Sequence, residues 1–95
     1  MHEPNEVLQT LTGRGTVSAE GCGTVRVRYR VIVERRASAV IAHGSLHGSH
    51  AGLRPIWLMP DSTLRLKTGR SFAISITDLV GDTGEFESTG SIGNL

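Results

Sequence analysis

Thr24–Arg35 reads TVRVRYRVIVER, and its period of two decides the fold. Val25, Val27, Tyr29, Val31 and Val33 fall on one face, with Thr24, Arg26, Arg28, Arg30, Ile32 and Glu34 on the other. Strict alternation of residues so rich in β-branched types predicts a half-buried antiparallel strand. At the helical repeat the same valines would scatter around the axis.

Upstream, Leu11, Gly13, Gly15 and Val17 share a face before a turn at Ala19-Glu20-Gly21-Cys22-Gly23, which supplies the long strand with its partner. Glycines on an inward face remove side chains where a strand must bend or approach another backbone. Downstream, Ala37–His43 offers a further short strand. Thr63–Lys67, Ser71–Asp78 and Glu85–Thr89 alternate in the same way and are separated by turns at Lys67–Arg70 and Gly81–Gly84. They read as a three-stranded meander. Gly44–Pro60 is expected to be irregular, and no convincing amphipathic helix emerges.

The fold expected is therefore all-β: a small barrel or compact sandwich of about six antiparallel strands with little or no helix. Residues 1–95 form one domain, with residues 1–6 and 91–95 expected to be flexible. The pattern is compatible with several small barrels, five-stranded Greek-key and SH3-like among them. Such folds host unrelated activities and imply none.

Composition narrows the function classes. The chain is 38% hydrophobic and 20% charged, with ten basic against nine acidic residues, which fits neither disorder nor a polyelectrolyte. No apolar run is long enough for a membrane helix, and Met1–Asn5 does not resemble a secretory signal, so a cytoplasmic location is expected. The one cysteine, Cys22, excludes an internal disulfide framework and a multi-cysteine zinc site.

Three groups of residues could carry chemistry. The first is the row Arg26, Arg28 and Arg30, whose side chains stand about 6.6–6.8 Å apart on one strand face, close to the spacing of phosphates along an extended single strand. From Arg14 to Arg36 there are six arginines against Glu20 and Glu34. The competing reading is an ordinary solvated face, or one cross-paired with Glu85 and Glu87 if the last strand lies beside it, from an acidic stretch that also holds Asp78 and Asp82. The scarcity of aromatics argues against a base-stacking platform.

The second group is His43, His47 and His50, three imidazoles that could ligate zinc, copper or nickel if a folded loop brought them together. Glycines and serines interleave them, as in a plain surface loop. The third is Ile56-Trp57-Leu58-Met59, bracketed by Pro55 and Pro60. It reads either as a plug across an open barrel end with Trp57 as the lid, or as an apolar ridge for a partner.

Catalysis finds little support. Gly44-Ser45-Leu46-His47-Gly48 is not a nucleophile elbow, and no phosphate-cradling glycine loop is present. The expectation is a non-catalytic binding or accessory module, without a cofactor, that recognises a protein partner or associates with itself through Ile56–Met59. The alternative is binding of nucleic acid or another polyanion through Arg26, Arg28 and Arg30, with a histidine metal site as the third reading.

Overall fold

In the computed structural model, which describes residues 6–90 and 92, six antiparallel strands close into a barrel with one short helix. The strands are β1 (Glu6–Ala19), β2 (Gly23–Arg36), β3 (Ala39–His47), β4 (Ser62–Arg65), β5 (Ser71–Val80) and β6 (Thr83–Ser88), and α1 (His50–Trp57) joins β3 to β4. Their order around the barrel is β1-β2-β3-β6-β5-β4, with β4 returning to β1. No helix among the described residues is long and apolar enough to cross a membrane.

The period-two pattern of β2 is realised as expected. Val27, Tyr29, Val31 and Val33 are buried while Arg26, Arg28 and Arg30 are exposed. Inside the barrel they meet Val17, Leu46, Leu64, Ile74 and Phe86, none more than 1% exposed. β5 carries its alternation through Phe72, Ile74 and Ile76 and then breaks it. A register shift between Ile76 and Asp78 leaves Thr77 as an extra residue, so Leu79 rather than Asp78 turns inward.

The inward glycines of β1 serve a specific neighbour. Gly13 faces Tyr29 across the ladder, and a Cβ at position 13 would stand 2.8 Å from the Tyr29 hydroxyl. A Cβ at Gly15 would lie 3.2 Å from the same ring and would collide with the carbonyl oxygen of Arg65 on β4. The tyrosine ring thus occupies the room the glycines leave, and its hydroxyl accepts a hydrogen bond from the Lys67 N–H at 3.2 Å.

Gly44–Pro60 is more regular than its composition suggests. Strand β3 runs on through Gly44 to His47, because Gly44 packs against the backbone of Arg30, where a Cβ would meet the Arg30 carbonyl oxygen. After Gly48 and Ser49, the eight residues His50–Trp57 form α1. Gly44, Gly48 and Gly52 each weigh against a helix by propensity, but only Gly52 lies within α1, where it allows the helix to approach Val25. Ser49 caps the first turn by accepting from the Gly52 N–H at 3.3 Å, and Pro55 is accommodated inside the helix. Leu53 and Ile56, one turn apart, are fully buried and close the end of the barrel.

At the amino terminus, Glu6 already belongs to β1, where a free segment was expected. At the carboxyl terminus, the Ile92 N–H donates to the Val40 carbonyl oxygen at 2.8 Å. The remaining residues of the two expected flexible ends lie outside the described residues.

Candidate functional site

The β1–β2 hairpin folds about the turn at Glu20–Cys22, and its register assembles a larger basic face than the β2 row suggests. Arg14 of β1 stands directly opposite Arg28, and Thr16 stands opposite Arg26. On the far side of β1, Thr16 also pairs with Arg65 of β4. Arg14, Arg26, Arg28 and Arg65 therefore share the outer face of three adjacent strands, and all four are exposed. Arg14, Thr16, Arg26 and Arg28, with His47, Gly48 and Asp82, line a groove of about 710 Å³.

Of the two competing readings of this face, cross-pairing with Glu85 and Glu87 is not realised, while the arginines are exposed as on a solvated face. Glu85 and Glu87 do not lie beside β2, because β3 runs between. Arg30 is opposite Ser45, and Ser45 is opposite Glu85. Two strand spacings, about 9.5 Å, therefore separate those backbones. Among the described residues no carboxylate forms an ion pair with Arg14, Arg26, Arg28, Arg30 or Arg65, whereas Arg35 pairs with Glu6 at 3.8 Å and Arg36 with Glu34 at 3.3 Å. The carboxylate within the groove, Asp82, is committed elsewhere. Its Oδ1 accepts from the His50 N–H at 3.2 Å, and its carbonyl oxygen accepts from the Gly48 N–H at 3.0 Å.

Directly opposed like charges destabilise a sheet. The Arg14–Arg28 pair is such an opposition, and no carboxylate among the described residues forms an ion pair with either arginine. The charge also changes along the face. Arg30 borders a second depression with His43, Glu85 and Glu87, so the basic field is concentrated at the Arg14–Arg26–Arg28 end.

The three histidines do not converge. His43 Nε2 donates to Glu34 Oε1 at 2.5 Å, His47 Nδ1 is hydrogen-bonded to the Thr83 hydroxyl at 3.1 Å, and His50 Nδ1 donates to the Gly81 carbonyl oxygen at 2.6 Å. Among the described residues no group of three His, Cys, Asp or Glu side chains could hold a metal ion.

The hydrogen bond from His43 is the main reason the Glu34 carboxyl sits below the usual glutamate range. Arg36 adds to it and partial desolvation opposes it. A carboxyl whose value falls on folding stabilises the fold above the ordinary glutamate range, and that contribution is lost as pH drops through the lowered value. Glu34→Gln should therefore melt below the wild type at neutral pH and converge with it in acid. Melting curves in which the difference stays constant with pH would contradict this.

The apolar segment is turned largely inward. Ile56 is fully buried, which removes it from any docking ridge, and Trp57 and Met59 are partly covered. Leu58, 71% exposed, is the member of Ile56–Met59 that faces solvent. Leu53 and Ile56 are fully buried in the core, and Trp57 packs against it partly buried.

Arg14 and Arg65 are the members of the basic face that sequence reasoning missed. A signal for Arg14 was present, since a hairpin centred on Gly21 sets residue 14 against residue 28. Arg65 carried no such signal, because its place depends on β4 closing the barrel onto β1. Comparison with known proteins finds no family model that matches, and no curated protein or solved structure of significant similarity.

Proposed function

We propose that the protein binds an extended polyanion of the nucleic-acid-backbone class through Arg14, Arg26, Arg28 and Arg65. The supporting observation is the opposed Arg14–Arg28 pair, without an internal carboxylate partner, inside an exposed groove. Guanidinium forks suit phosphate oxygens bidentately, and a bound phosphate between the two arginines would relieve their repulsion.

Recognition runs through the backbone of the ligand rather than its bases. Tyr29, Phe72 and Phe86 are buried in the barrel, and the partly covered Trp57 belongs to α1, so the arginine face presents no Phe, Tyr or Trp ring for stacking. Binding is accordingly indifferent to sequence and driven by counterion release.

Fluorescence anisotropy with a labelled oligonucleotide tests the proposal. Three to four phosphate contacts predict a slope of log K against log salt of about −2 to −3 for a single strand. Arg28→Ala is expected to weaken binding more than Arg30→Ala, since Arg30 lies nearer Glu85 and Glu87. Equal effects of the two substitutions, or affinity that ignores salt, would count against this face.

A further inference from the structure

Among the described residues, β1 has a long open edge. β1 is paired with β2 along its length but with β4 only at Thr16–Ser18, so the Glu6–Thr12 edge has no ladder partner among the described residues. Its backbone N–H and C=O groups on that side are available to another strand. The chain treats the matching edge of β3 differently. There the Ile92 N–H bonds the Val40 carbonyl oxygen, and the Ser88 hydroxyl accepts from the Ala42 N–H at 3.0 Å.

Open edges are usually guarded by charges, prolines or bulges. Residues 7–13, VLQTLTG, hold no charged residue and no proline. Val7 is 58% and Leu8 40% exposed. A register shift between Val7 and Gln9 marks a bulge at Leu8, which leaves Gln9–Gly13 as the regular part of the edge. Glu6 and Arg14 bracket the uncharged stretch with opposite signs.

We infer that this edge takes a second copy of the same chain, β1 pairing antiparallel with β1 of its partner across a two-fold axis at Leu11. The pairing sets Leu11 against its counterpart, Thr10 against Thr12, and Gln9 against Gly13. It brings the Glu6 end of each copy beside the Arg14 end of the other, whereas parallel pairing would stack like charges. Cross-strand threonine pairs are favourable on a solvated face. The inference rests on the open edge rather than on the polyanion reading, and the two meet at Arg14, which the pairing sets near the Glu6 end of the second copy. Because the axis is normal to the shared sheet, both arginine faces look out on the same side.

Sedimentation equilibrium on the full chain, followed into the high micromolar range, tests it. The wild type is expected to show a monomer–dimer equilibrium. Thr10 and Thr12 are exposed and stand opposite Ile32 and Arg30 of β2, so Thr10→Lys with Thr12→Lys opposes lysines across the axis, and thermal melts of each variant establish that the barrel is kept before association is read. That variant should dimerise at least about tenfold more weakly. Mixing it with the Thr10→Glu, Thr12→Glu variant should restore association as a heterodimer. A wild type that stays monomeric, larger open assemblies, a lysine variant that dimerises normally, or a mixture that stays apart would each overturn the inference.

Discussion

Gly15→Ala is expected to cost about 3 kcal/mol and to lower the melting temperature by roughly 12–24 °C in a domain of this size. The added methyl group would collide with the carbonyl oxygen of Arg65 and crowd the Tyr29 ring. A flexible side-chain tip could swing aside, but a backbone carbonyl cannot move without lifting β4 from β1. That junction, Thr16–Ser18 against Thr63–Arg65, is where the barrel closes. Gly90→Ala is the control, since a Cβ there meets nothing within 4 Å. Thermal melts followed by far-ultraviolet circular dichroism decide the matter. A Gly15→Ala variant melting within a few degrees of wild type would mean that the closure is looser than described.

The second large effect concerns binding. Replacing Arg14, Arg26 and Arg28 together by alanine should weaken oligonucleotide affinity by roughly two to three orders of magnitude, at about 1–1.5 kcal/mol for each exposed guanidinium–phosphate pair removed. The same substitutions remove the opposed like charges, so the melting temperature should hold or rise. Weaker binding with unchanged or improved stability separates a binding face from a structural one. Anisotropy titrations and thermal melts on one preparation read both. Retained affinity would withdraw the proposed function, and a marked drop in stability would mean that the arginines support the sheet.

The sequence was most legible where a single strand carried its own evidence. Alternation in β2 sorted Val27, Tyr29, Val31 and Val33 from Arg26, Arg28 and Arg30 without knowledge of any partner. Less visible was whatever depended on a remote neighbour. Gly44 looked like a loop residue because its role, making room for the Arg30 carbonyl, is a property of β2. Helix α1 was hidden by Gly52 and Pro55. It is held by burial of Leu53 and Ile56 and by the Ser49 cap rather than by intrinsic propensity. Cross-pairing with Glu85 and Glu87 failed for a topological reason. β6 follows β5 in the chain but docks on β3, one strand too far from the arginines.

The way the ring of strands is closed bears on how the chain reaches it. β1 and β2 meet through a tight turn, so their hairpin can form from neighbours in sequence. Sealing the ring instead joins residues 16–18 to 63–65, positions 45 to 49 apart, for a short stretch of ladder. The loop entropy of that step is given up before much pairing compensates it. The seal should therefore set the pace of folding, with the long hairpin already in place when the slow step begins.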